Sequence, residues 1–187
     1  MPIQVPIPFC YHVPMKRIGI ISDTHNKLPE EALRLLTGCK RIIHAGDICR
    51  PDILWQLECV APLVAVLGNN DHLDFGPSVN PQASFIEEGV RFVITHEPRH
   101  LKGALESFRD DSGTPIVAIH GHTHVPKIET GDKSALYDHL VCPGAVNRSR
   151  EAQGRRTIAF VDVDESAVRD IRIIDLNGNV IAKVPTL

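Results

Sequence analysis

Short apolar runs that stop abruptly in polar residues recur along the first two thirds of the chain. Residues 18–21, 41–45, 63–67 and 116–119 are rich in β-branched and aliphatic side chains, and their continuous apolar character predicts strands buried on both faces. Between them the period changes. Pro29, two acids and then Ala32, Leu33 and Leu36 predict a helix over 29–36, with Gly38 placed where a helix ends. Pro51 with Ile53, Leu54 and Leu57 predicts a second helix, and Leu101, Ala104, Leu105 and Phe108 a third. Residues 84–95 predict a hairpin turning near Gly89.

Strand–helix alternation with short connections predicts a parallel sheet with right-handed crossovers. From Lys127 onward, runs at 136–141, 157–163, 168–174 and 180–184 predict an antiparallel meander, with Asn177-Gly178 as a hairpin turn. The architecture expected is α/β: two packed sheets flanked by helices in a single domain over 16–187. Residues 1–15 are expected as a loosely ordered extension, being rich in Pro and lacking the basic start of a signal peptide.

Polar residues punctuate the strand ends, and their types carry the chemistry. Asp23 and His25 stand at i and i+2 after the first strand. In extended backbone such a pair points one way, whereas in a helix it would diverge by about 200°. Asp47 follows the second strand and Asn69 the third; His96 leaves the hairpin, and His122 and His124 repeat the i, i+2 spacing after 116–119. Carboxyl ends of parallel strands gather in one crevice, and all seven residues are of metal-ligating type. Seven ligands exceed the need of one ion, while two ions sharing a carboxylate use them all. Asp47 is the natural bridge.

Composition narrows the partners. A formal charge of −3 and 5% aromatic residues offer neither a basic surface nor a stacking platform for nucleic acid. No apolar run approaches the roughly 20 residues that span a bilayer. Five cysteines, odd in number and without C-x-x-C spacing, point to a reducing compartment, and the cytoplasm is expected. Exposed strands of the meander offer edges for subunit pairing, so a homodimer is among the expectations.

The set Asp23-Thr24-His25, Gly46-Asp47, Gly68-Asn69-Asn70-Asp71, Thr95-His96 and Gly121-His122-Thr123-His124 resembles the calcineurin-like metallophosphoesterases, and within them the small YfcE/Vps29-like branch. The resemblance implies an αββα sandwich of two mixed β-sheets, as in other metallo-dependent phosphatases. It assigns Asp23, His25, Asp47 and His124 to one divalent ion and Asp47, Asn69, His96 and His122 to a second. It also implies a metal-bridging hydroxide that attacks a small phosphodiester. Imidazole–carboxylate ligation suits Mn, Fe, Ni, Co or Zn, with manganese expected for activity. A phosphomonoesterase, a nucleotide pyrophosphatase and a non-catalytic scaffold of the Vps29 kind are the alternatives.

The chain departs from the pattern after the ligand Asn, where relatives carry His or Cys. Here Asn70 cannot supply a proton and is expected to hydrogen-bond a phosphoryl oxygen. Asp71 is expected to orient His25 or Asn69, completing with Asp47 and Asn70 the catalytic set. The segment 142–150 resembles the family's Asn-Pro-Gly-Ser turn; Arg148 and Arg150 are its expected phosphate clamps. Cys49 is expected as a small buried hydrophobe. His72, His100 and His120 remain as candidate acids, since spacing does not fix their directions.

Overall fold

The computed structural model describes residues 15–110, 112–147 and 154–185. The order is β1 (Lys16–Ile21), α1 (Glu30–Leu36), β2 (Arg41–His44), α2 (Pro51–Glu58), β3 (Leu63–Ala65), β4 (Gln82–Glu87), β5 (Val90–Thr95), α3 (Pro98–Phe108), β6 (Ile116–Ile119), β7 (Lys127–Thr130), β8 (His139–Cys142), β9 (Thr157–Asp164), β10 (Ala167–Asp175) and β11 (Val180–Pro185). They form a six-stranded sheet, β11-β10-β9-β1-β2-β3, and a five-stranded sheet, β4-β5-β6-β8-β7.

Both sheets are mixed. β1, β2 and β3 run parallel, as do β5, β6 and β8. Strand pleating sends alternate side chains to opposite faces. Ile18 and Ile20 of β1, Phe92 and Ile94 of β5, and Val117 and Ile119 of β6 therefore share the core between the sheets. Ile21, Ile158 and Phe160 face the other way and pack with Leu36 of α1 and Ile53 and Leu57 of α2. Val93 and Ala118 pack beneath Leu101, Ala104 and Leu105 of α3. The layers are thus helix, sheet, sheet, helix. With both faces covered, the continuous apolar runs of the central strands need no alternation.

The C-terminal third is not one antiparallel meander. β8 lies parallel to β6 and carries β7 antiparallel on its outer edge, all in the second sheet. β9 crosses to the first sheet, pairs antiparallel with β1, and begins the three-stranded meander β9-β10-β11. Hydrophobic period signals a strand but does not name its partner, so the sheet switch between β8 and β9 was not legible. β3 ends at Ala65 instead of residue 67, because Val66 forms an isolated bridge to Asn80. Among the described residues no helix is long and apolar enough to cross a membrane. The N-terminal expectation for residues 1–14 and the substrate-clamp expectation for Arg148 and Arg150 lie outside the described residues.

Candidate metal centre

The loops leaving β1, β2, β3, β5 and β6 converge at one end of the sandwich. Asp23 and His25 reach it differently from the extended geometry the spacing suggests. Both adopt left-handed backbone, φ 57° and 43°, as do Asp47 at 56°, His122 at 67° and His124 at 60°. Such conformations cost roughly 1–3 kcal/mol each outside glycine, although Asp and His tolerate them better than most residues. The surrounding hydrogen bonds hold them. The N–H groups of Asp23, His25 and Asn26 donate to the carbonyls of Gly46, Asp47 and Ile48, at 3.0, 3.0 and 3.4 Å. Thr24, between the two candidate ligands, turns its hydroxyl inward to the carbonyls of Asp47 and Ile48, both at 3.2 Å.

At Gly68 and Gly121 neighbouring backbone leaves no room for a side chain. A Cβ on Gly68 would lie 2.2 Å from the Asp47 backbone nitrogen, and one on Gly121 would lie 2.7 Å from the Ala45 carbonyl oxygen. Gly121 therefore serves close approach of two loops; its φ is not positive.

Asp23, His25, Asp47 and His124 bring one ligand atom each to within 4.8 Å of one another. The Nε2 atoms of His25 and His124 face each other at 3.2 Å. Asp23 Oδ2 accepts the N–H of His122 at 3.2 Å, which leaves Oδ1 turned toward the imidazoles. That Oδ1 is buried without a hydrogen-bond partner, 2.9 Å from His124 Nε2 and 3.8 Å from His25 Nε2. An unpaired buried carboxylate oxygen is costly, and a cation among these four atoms would satisfy it.

The second group shares Asp47. Its Oδ2 lies 3.6 Å from His25 Nε2 and its Oδ1 lies 3.5 Å from His96 Nε2, so each oxygen faces a different set of imidazoles. His96 Nδ1 is 2.8 Å from the Ala45 carbonyl, which can only accept. Nδ1 therefore carries a hydrogen, and Nε2 lies 3.1 Å from Asn69 Oδ1. Asn69 Oδ1 also meets His122 Nδ1 at 2.8 Å. With these ring nitrogens unprotonated, a cation between them and the Asn69 oxygen would satisfy all three. Burial alone would raise the Asp47 carboxyl, but hydrogen bonding and charge from His96, with two N–H donors of Asn70, hold it well below the usual carboxylate range. His96 is correspondingly raised: burial opposes its charge, and Asp47 outweighs it.

The remaining candidates brace the loops around this centre. Asn70 donates its backbone N–H to Asp47 Oδ1 at 2.9 Å and its amide Nδ2 to Oδ2 at 2.7 Å, turning onto the carboxylate. Asp71 accepts the backbone N–H groups of Cys49 at 2.6 Å and Gly68 at 2.7 Å on its two oxygens, tying the β2 and β3 loops together. Cys49 is half-buried, with Sγ 3.9 Å from His25 Nδ1. In the 142–147 segment the Val146 N–H is taken by the Ser22 carbonyl, and Asn147 Nδ2 anchors on the Thr24 carbonyl.

Sequence reasoning missed His44. It is fully buried at the end of β2 and meets Thr24 Oγ1 through Nε2 at 3.1 Å. Burial drives its pKa down to about 3, so the ring is neutral. Its position three residues before Asp47 on a continuous apolar run was the available signal, since a histidine there has no route to solvent.

The sequence profile described as "Calcineurin-like phosphoesterase superfamily domain" matches residues 15–166. The chain belongs to that superfamily, and with it to the metal-dependent phosphoric ester hydrolases. A probable metallophosphoesterase of Methanothermobacter thermautotrophicus is 34% identical over 119 residues, 59% of this chain and 68% of the relative. A phosphodiesterase of Methanocaldococcus jannaschii is 29% identical over 171 residues, covering 83% of this chain and 98% of the relative. Among solved structures, zinc-bound wild-type Vps29 from Entamoeba histolytica superposes with TM-score 0.70 at 18% identity, over 90% of this chain and 98% of that one. The phosphoesterase YfcE from E. coli gives 0.65 at 21% identity over 90% and 98%. These two likenesses show the αββα fold.

Proposed function

We propose that the protein is a dinuclear metal-dependent phosphodiesterase acting on small or accessible phosphodiesters. One observation carries the reading: the two oxygens of Asp47 face two separate sets of donors. Asp23, His25 and His124 would complete one cation site with Asp47, and Asn69, His96 and His122 the other. When bound, such a pair supplies Lewis acidity, making water acidic enough to attack near neutral pH and neutralising phosphoryl charge.

The chain's own residues fix the geometry. The Ala45 carbonyl sets the His96 tautomer, Asn70 holds the Asp47 carboxylate between the two donor sets, and Asp71 locks the loops that deliver Asp47 and Asn69. The mixed imidazole–carboxylate set favours manganese or a neighbouring transition ion over magnesium or calcium. With a formal charge of −3, attraction of an anionic substrate falls to the centre itself, which favours a small cytoplasmic ester over nucleic acid.

Elemental analysis of protein equilibrated with Mn²⁺ tests the metal count: two ions per chain support the reading, and a single ion overturns its dinuclear part. In the same preparation bis-p-nitrophenyl phosphate is hydrolysed and a chelator stops turnover. Absence of turnover with Mn, Ni, Co and Zn would leave a non-catalytic scaffold in its place.

A further inference from the structure

A cleft of about 350 Å³ opens beside the metal centre, lined by His25, Asn26, Cys49, Asn70, His72 and Leu73. Departure of an alkoxide from a phosphodiester needs a proton, and the chain has no imidazole at position 70. The side chain there is committed inward, with its amide on Asp47 Oδ2. Of the three histidines left open by the sequence, His120 is buried, its Nδ1 held against the Gly121 carbonyl at 2.9 Å. His100 lies in the first turn of α3 and does not line this cleft. His72 does line it, is exposed, and among the described residues no hydrogen bond holds its ring. The backbone from which it emerges is fixed, because the neighbouring Asp71 carboxylate is bonded at both oxygens. Leu73, 57% exposed, supplies an apolar wall beside it.

We propose that His72 protonates the departing oxygen, an assignment that rests on the phosphodiesterase reading above. A water oxygen forms a bond to phosphorus while the bond from phosphorus to the leaving group breaks in line with it. The departing oxygen keeps the electron pair of that bond and takes the proton from a His72 ring nitrogen. The products are an alcohol, a phosphomonoester and a neutral imidazole; the proton lost by the attacking water passes to solvent, from which the ring regains its own. His72 thus supplies, from the rim of this cleft, the imidazole that position 70 lacks.

The test compares an activated aryl diester, whose leaving group departs without a proton, with a simple alkyl diester that cannot. In His72→Asn, kcat on ethyl p-nitrophenyl phosphate falls several-fold at most, while kcat on diethyl phosphate falls about 100-fold or more, the usual range for loss of a general acid. The plot of log(kcat/KM) against leaving-group pKa steepens correspondingly, and added imidazole restores alkyl-ester turnover to His72→Ala. Metal content and thermal midpoint stay at wild-type values, and His100→Asn keeps the wild-type ratio of the two rates. Equal losses on both esters, or none on the alkyl ester, overturn the assignment of His72 alone. Wild-type protein inert toward both esters with every transition metal overturns the phosphodiesterase reading and this assignment with it.

Discussion

Asn70 grips both oxygens of Asp47, one through its backbone N–H at 2.9 Å and one through its side-chain amide at 2.7 Å. The two residues are 23 positions apart and leave adjacent parallel strands. A carboxylate held at both oxygens keeps one orientation, and that orientation divides the surrounding imidazoles into two sets. Hydrogen bonds to charged groups contribute about 1.5–3 kcal/mol each. Asn70→Ala removes one, so kcat/KM for an aryl diester falls about 10- to 100-fold. A rise in KM at constant kcat would instead mean that the amide acts on substrate.

Removing the shared charge separates a two-ion from a one-ion centre. Asp47→Asn keeps the size of the side chain, and its amide nitrogen cannot ligate a cation. Elemental analysis of this variant is expected to give fewer than two ions per chain, with aryl diester hydrolysis reduced by at least about 1,000-fold, the scale on which loss of key transition-state stabilisation is felt. Full activity in Asp47→Asn would show that the carboxylate bridges nothing.

The clamp formed by Asp71 makes a distinct prediction. Its truncation frees the N–H groups of Cys49 and Gly68, and Cys49 sits at φ 66°, a backbone state that needs external support. Asp71→Ala is expected to destabilise the fold by about 2–4 kcal/mol and to lower activity at the same time. Chemical denaturation together with the metal count reads both effects. An unchanged denaturation midpoint would remove Asp71 from the set of positioning residues.

Stability carries a signature of His44. Its pKa is lowered to about 3 by burial, whereas an unfolded histidine titrates near about 6.5. Between these values the unfolded chain binds a proton that the folded protein excludes, so this group's contribution is complete above about pH 6.5 and is lost progressively as pH falls toward 3. Denaturation midpoints measured from pH 7 to 4 should therefore fall less steeply in His44→Gln than in the wild type. Parallel slopes in the two proteins would place the titrating group elsewhere.

Much of this was written locally. The apolar runs ended where the strands end, and Asp23, His25, Asp47, Asn69, His96, His122 and His124 stood just beyond them, since burial and periodicity are properties of neighbouring residues. Pro29 and Pro51 likewise mark helix starts that the structure places within a residue of them. Spacing suggested the right company for Asp23 and His25 for an incomplete reason: the loop is not extended there but curls through left-handed backbone, held by carbonyls of the next strand's loop.

The sequence by itself determined where the buried apolar strands run, which of them end in ligand-type side chains, and that the helices alternate with parallel strands, because each follows from side-chain chemistry within one or two turns. Only the tertiary structure decided that β8 and β9 belong to different sheets, that Asn70 faces Asp47, and that Asp71 braces Cys49 and Gly68. Those choices depend on donors and acceptors that meet across strands, where position along the chain carries no information about which hydrogen-bonding group will lie opposite.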